Sequence, residues 1–360
     1  MPLFTTLALA AGLAAAAELT IPSDAGAPIG NCDLGATLEM PAGAKALVVF
    51  VHGSGTQNRD EGLPQGIAPF RDIANALSAR GIGSLRFDKR GVSPSCRAGI
   101  MDPADPNRSH PALQPATYIA DIETVYRRAV AESGGLPVFV LAHSEGVNYA
   151  LELVAGRRID PAGLILLAGL GKHPIDVTLL RQLREVLARI DAALADPKLP
   201  PEQRAELVAQ RPGFEKALRE GETFFQEIGA GRSAASDYYL GAYEPYWKEW
   251  IAITARAATT AAAAAKPSLL IQGDADQNVS KDDFDALAAA LKPHGGESKL
   301  FAGLDHLFLS PGSSTVSSAA TDSISDWIER RVSPAALPAA PAPLKLSPSR
   351  ALLQLKGWLR

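Results

Sequence analysis

Ser144 stands in the run VLAHSEGV, after the apolar stretch PVFVL and before a segment patterned as a helix. A chain that enters a serine as a strand and leaves it as a helix must turn sharply. The turn needs small residues two before and two after the serine, because larger side chains collide where helix meets strand. Gly146 meets this requirement, and Ala142 takes the place of the more usual glycine with the next smallest residue. Such a turn projects the hydroxyl at the carboxyl end of a sheet, with a helix amino terminus beneath it to favour developing negative charge. The chemistry on offer is nucleophilic attack by Ser144 and a covalent intermediate.

A hydroxyl needs a base to take its proton, and histidine is suited to that task. Of the six histidines, His52 follows an early strand and His143 flanks the serine, its ring expected on the sheet side. His110, His173 and His294 lie in polar connections. His306, in LFAGLDHLF, follows the last expected strand and precedes the final helix, so in the chain order serine, acid, histidine it is the base. An acid must orient it, and LLIQGDADQNVS offers Asp274 and Asp276 just beyond a strand. The turn consumes a few residues after Gly273, which places Asp276 better and leaves Asp274 to cap or brace the loop. Glu145 lies beside the nucleophile and points along the helix start, so it is not the acid. For the oxyanion, His52-Gly53-Ser54-Gly55 follows the strand ALVVFV and leaves backbone donors free; the N–H groups of Ser54 and Glu145 form the natural pair.

These residues need a scaffold, and the chain alternates between strand and helix patterns. Strands are expected at Ala46–Gly53, Ile82–Phe87, Pro137–Ser144, Ala162–Gly169, Ser268–Gly273 and SKLFAG, with helices at FRDIANALSARG, YIADIETVYRRAVAES, Glu145–Ala155, Asp282–Leu291 and Asp322–Val332. This alternation gives an α/β fold whose mostly parallel sheet is covered on both faces. Between Gly171 and Lys266 no strand pattern is found, only helix-like segments, so residues 172–266 read as a helical cap over the active edge. The core then comprises 18–171 and 267–332. Within the cap, Tyr238–Trp250 holds four tyrosines and two tryptophans, which either line a substrate site or form the cap's own core.

The ends differ in character. Residues 1–17 are uncharged, apolar through Leu7–Leu13, and finish in a small-residue site, Ala15-Ala16-Ala17. They read as a secretory signal, with export to the periplasm or medium and a mature chain beginning near Glu18. The Pro-rich tail, 333–360, is expected to be disordered or loosely docked. With a formal charge of −4 and no long basic run, nothing suggests a nucleic-acid partner. No His/Cys/Asp cluster has metal-ligand spacing, no cofactor is implied, and the apolar runs are too short for a stable membrane span. The oligomeric state is left open.

Together HGSG with NRDE, LRFDKRG, AHSEG, IQGDADQNV and GLDHLF resemble the α/β-hydrolase superfamily, and within it the dienelactone-hydrolase-like and serine-aminopeptidase-like esterases. The resemblance spans Leu34 to Val332 and lapses only in the cap; Ala142 and the Pro-rich tail depart from it. It implies an eight-stranded sheet and a Ser-Asp-His triad at Ser144, Asp276 and His306, with Asp60, Asp88 and Arg90 bracing loops. In such a fold the second strand lies antiparallel to the fourth, which brings Cys32 near Cys96. Two cysteines in an exported chain leave no thiol over, so a disulfide between them is expected.

The function expected is cleavage of small carboxylic esters through an acyl-enzyme. A peptidase or thioesterase on the same triad is the alternative, and a non-catalytic binding protein is disfavoured by the intact triad. A dehalogenase or epoxide hydrolase would need aspartate where Ser144 stands.

Overall fold

The computed structural model describes residues 16–24, 26, 28–92, 95–96, 100–102, 104–105 and 107–332. Strands β1 (Ala16–Asp24), β2 (Asn31–Glu39), β3 (Leu47–Val51), β4 (Gly83–Phe87), β5 (Val138–His143), β6 (Leu164–Leu167), β9 (Ser268–Gly273) and β10 (Glu297–Phe301) form one eight-stranded sheet in the order β1-β2-β4-β3-β5-β6-β9-β10. The β1–β2 and β2–β4 pairings are antiparallel and the others parallel, so this is the α/β-hydrolase architecture that the motifs imply.

The central strands are uniformly buried because both sheet faces are covered, and successive residues feed opposite layers. In β5, Val138, Val140 and Ala142 join the cluster beneath α2 (Pro115–Glu132), α3 (Glu145–Ala155) and α8 (Lys281–Leu291). Phe139 and Leu141 join the opposite cluster, with Phe70 and Leu77 of α1 (Pro69–Ala79) and Trp327 of α9 (Ser318–Val332). Edge strand β10 exposes most of its residues and carries Glu297 and Lys299, charges that discourage pairing with another strand.

Between β6 and β9 lie α4 (Ile175–Ala195), α5 (Pro201–Gly229), α6 (Glu244–Ala255) and α7 (Ala257–Ala264). Two expectations need correction here. The segment does contain strands: β7 (Tyr238–Tyr239) and β8 (Ala242–Tyr243) make a two-residue hairpin, turned at Leu240-Gly241 with Gly241 at φ +87°. And the cap ends before Lys266, because Ala261 and Ala264 of α7 are buried in the main core with Leu151 and Leu287. Small residues let α7 lie close against α3, so it belongs to the helical layer of the sheet.

At the amino end, Ala16 and Ala17 open β1 opposite Glu39 and Leu38, although the leader was expected to extend to residue 17. Residues 1–15, where the rest of the expected leader falls, and the tail, 333–360, lie outside the described residues. Cys32, in β2, is joined to Cys96 by a disulfide, with Cα atoms 5.4 Å apart and 64 residues of separation. Closing a loop of that length removes about 4 kcal/mol of unfolded-chain entropy in the simplest chain model.

Candidate active site

Ser144 is the first residue past β5 and caps α3 with φ 53° and ψ −119°. A non-glycine residue rarely adopts positive φ, and strain of this kind is kept only where surrounding structure enforces it. Enforcement comes from packing: a Cβ on Gly146 would lie 2.5 Å from the His52 carbonyl oxygen and 2.7 Å from that of Val51. Only glycine lets α3 start so close to β3. Ala142, paired with Val51 and Leu166, is fully buried, and the neighbouring strands accommodate its methyl.

His306 and Asp276 meet at the ends of adjacent strands. His306 Nδ1 lies 2.8 Å from Asp276 Oδ2. The other oxygen of Asp276 accepts from the N–H groups of Asn278 and Val279 at 2.7 and 3.0 Å, so the carboxylate is fixed and its side chain fully buried. Asp305 Oδ1 accepts from the Leu307 and Leu309 N–H groups, both at 2.9 Å, and shapes the turn that presents His306. Asp274 accepts from Gly303 N–H at 2.6 Å and braces this loop from outside. With Nδ1 committed to Asp276, Nε2 is the nitrogen left for Ser144. The two residues line one cavity of about 660 Å³ without a hydrogen bond between them.

Ser54 and Glu145 line the same cavity. Among the described residues no hydrogen bond occupies the backbone N–H of either, whereas that of Gly53 is taken by Glu61 Oε1 at 2.6 Å.

Two buried ion pairs flank this arrangement, and sequence reasoning had assigned neither. His143 lies beside the rings of Phe70 and His306, and its own ring is paired: Nδ1 lies 2.8 Å from Glu61 Oε2 and Nε2 lies 3.1 Å from the His306 carbonyl oxygen. Burial alone would push His143 down, yet the adjoining Glu61 carboxylate and the His306 carbonyl raise it above the usual histidine value. Burial would likewise raise Glu61, but His143 holds it below the ordinary carboxylate value. His52, buried against Phe87 and Phe70, is pushed down by desolvation to about 4 and is neutral. The second pair joins Lys89 to Glu145, Nζ to Oε2, at 2.7 Å. Glu61 falls in NRDE and Lys89 in LRFDKRG, so the motifs marked their segments, but no local pattern marks a partner 82 or 56 positions away.

The Glu61–His143 pair yields a pH-dependent expectation. The raised His143 contributes stability that is fully present below its unfolded value, 6.5, and is lost as pH rises through its folded value. The lowered Glu61 contributes stability that is present above 4.5 and is lost as pH falls through its folded value. The pair is thus worth most between those two values. Glu61→Gln should cost about 3–5 kcal/mol near pH 6, with a smaller deficit at pH 9. Urea unfolding of both proteins at the two pH values checks this, and equal stability at pH 6 refutes it.

The bracing residues also find partners. Asp88 pairs with Arg59 at 2.8 Å, Arg90 with the buried Asp121 at 2.7 Å, and Asp60 with Arg86. Among the described residues no group of three or more His, Cys, Asp or Glu could hold a metal, and no helix is long and apolar enough to cross a membrane.

Comparison with known proteins sets this geometry in a family. The family model of serine aminopeptidase S33 hydrolases matches residues 42–310. Among solved structures, a thermostable carboxyl esterase from Bacillus coagulans is similar at TM-score 0.58 and 16% identity, covering 88% of this chain and 99% of that one. An esterase of Pyrococcus furiosus superposes at 0.53 with 12% identity, covering 88% and 91%. Est1E from Butyrivibrio proteoclasticus, bound to ferulic acid, superposes at 0.52 with 14% identity, covering 84% and 96%. No curated protein matches the sequence. At these identities the solved structures speak to the fold, while the family match spans most of the chain: it belongs to the serine aminopeptidase S33 family of α/β hydrolases.

Proposed function

We propose that this protein cleaves carboxylic esters through an acyl-enzyme formed on Ser144. The observation that carries the reading is the Asp276–His306 hydrogen bond, whose histidine lines the same cavity as a serine held at positive φ. Ser144 Oγ attacks the ester carbonyl carbon as its proton passes to His306 Nε2, and Asp276 steadies the imidazolium. The carbonyl oxygen takes up the negative charge facing the N–H groups of Ser54 and Glu145. Collapse expels the alcohol oxygen, which takes the proton from His306. Water then attacks the acyl carbon as His306 takes its proton, and collapse breaks the bond to Ser144 Oγ, which recovers that proton from His306 as the acid leaves.

A peptidase is the second reading, since the family is named for an aminopeptidase. The cavity wall supports the ester. From the cap it takes Ile175, Thr178, Leu179, Gln182, Trp247 and Trp250, none of them ionisable, and its acidic residues, Glu61, Glu145 and Asp305, are already engaged by His143, Lys89 and the Leu307 and Leu309 N–H groups, which leaves little to hold a free amino terminus. Trp247 and Trp250 also border a second cavity of about 520 Å³ that carries Tyr118, Tyr238 and Tyr246, which supports an ester bearing an apolar or aromatic group. Graded aryl esters assayed beside aminoacyl anilides test this. Esters should be turned over at least 100-fold faster in kcat/KM, roughly the scale of one well-placed catalytic interaction; faster anilide cleavage overturns the ester reading.

Export is part of the same proposal, supported by the apolar leader and by the Cys32–Cys96 disulfide, a bond that persists in oxidising compartments. The intact mass of protein recovered outside the cytoplasm checks it, because an uncleaved leader there contradicts a signal peptide.

A further inference from the structure

The peptide between Gly53 and Ser54 is gripped by its oxygen. Lys89 Nζ donates to the Gly53 carbonyl at 2.9 Å and to Glu145 Oε2 at 2.7 Å, and the two side chains are 7% and 1% exposed. Glu145 Oε1 accepts from the hydroxyls of Tyr149 and Tyr246, each at 2.8 Å. Lys89 also lies over the Tyr118 ring, 4.5 Å from its centroid. The cation's two oxygen partners thus belong to the segments that carry both proposed oxyanion donors. Gly53 O shares a peptide plane with Ser54 N–H, and Glu145 supplies the second N–H from its own backbone.

Two physical consequences follow. A trans peptide sets its C=O and N–H in opposite directions, so drawing Gly53 O toward Lys89 aims Ser54 N–H away from the cation. A charged donor on a carbonyl oxygen also pulls electron density from the amide nitrogen, and linked hydrogen bonds strengthen one another where water is excluded. Gly53 N–H, held by Glu61, restrains the preceding peptide as well.

We propose that Lys89, held in place by Glu145, is a positioning residue that orients and polarises Ser54 N–H for the oxyanion of the hydrolytic step. Its effect is confined to the transition state, because the ground-state carbonyl carries little charge to reward a stronger donor. The inference rests on the reading of Ser144 as nucleophile.

The test compares wild type, Lys89→Met and the double variant Lys89→Met/Glu145→Gln. Methionine keeps much of the stem without the charge. The double variant also removes the carboxylate that would otherwise stay buried without its cation, so it carries the test where the single variant fails to fold. For an aryl ester, both should lose roughly 10- to 100-fold in kcat while KM stays within about twofold. The affinity for an aryl boronic acid, which mimics the tetrahedral adduct on serine, should fall by the same factor as kcat. A double variant with wild-type kcat, a loss confined to KM, or failure of both variants to fold by circular dichroism overturns the proposal and leaves Lys89 a structural cation. Ester hydrolysis that survives Ser144→Ala removes the nucleophile reading instead. A Ser144-dependent enzyme indifferent to Lys89 removes only this inference.

Discussion

Ser144→Ala is expected to lower kcat for ester hydrolysis by roughly a millionfold, the loss seen when a hydrolase nucleophile that works with its base as a unit is removed. The folded chain should survive. The change deletes one oxygen at a half-buried position, and the turn is held by Gly146 and the strands below it. A fluorophosphonate probe should label wild type once, at Ser144, and leave the variant unlabelled. Labelling at another residue, or hydrolysis by the variant near the wild-type rate, would end the assignment. Unfolding of the variant in circular dichroism would contradict the packing argument.

The second large effect is expected at Asp276. Replacing its carboxylate with an amide offers His306 a donor or a weak acceptor in place of a charge, which favours the wrong tautomer and forgoes stabilisation of the imidazolium. Asp276→Asn should therefore cost about 10⁴-fold in kcat. Asp274→Asn should cost far less, within about tenfold, since it weakens one hydrogen bond to Gly303 N–H at a solvent-exposed loop. The two variants, assayed with one ester, rank the aspartates. If Asp274→Asn is the more damaging, the orienting acid has been misassigned.

Much of the scaffold could be read from the chain because its signals are local. A strand buried on both faces is a short apolar run, and VLAHSEGV states a strand, a turn and a helix within a few residues. Ser144, Asp276 and His306 each follow a recognisable strand end, and that is where the structure brings them together. What escaped was non-local or too short. Glu61 and His143, or Lys89 and Glu145, have meaning as pairs only once β3, β4 and β5 lie side by side. The β7–β8 hairpin has two residues per strand, fewer than any alternation needs to show. β1 begins in the alanines that close the apolar amino-terminal stretch, where no period separates a strand from an expected signal. α7, rich in alanine, lacks the large apolar stripe that would have tied it to the core layer.

The cap enters the fold at a particular place: β6 and β9 are direct neighbours, Leu164 opposite Ser268, and the whole excursion from Ala168 to Pro267 leaves and rejoins the sheet there. Tethering the two ends of such an excursion costs entropy that grows only with the logarithm of its length, about 0.6 kcal/mol for each doubling. The sheet is therefore nearly indifferent to how long the cap is, while Ser144, Asp276 and His306 follow the ends of strands outside it. Selection can therefore lengthen α5 at little entropic penalty to the sheet, whereas the α6 aromatics are tied to the core through Tyr246, whose hydroxyl donates to Glu145. The length of the inserted segment and the stability of the sheet are thus separately heritable traits in this chain.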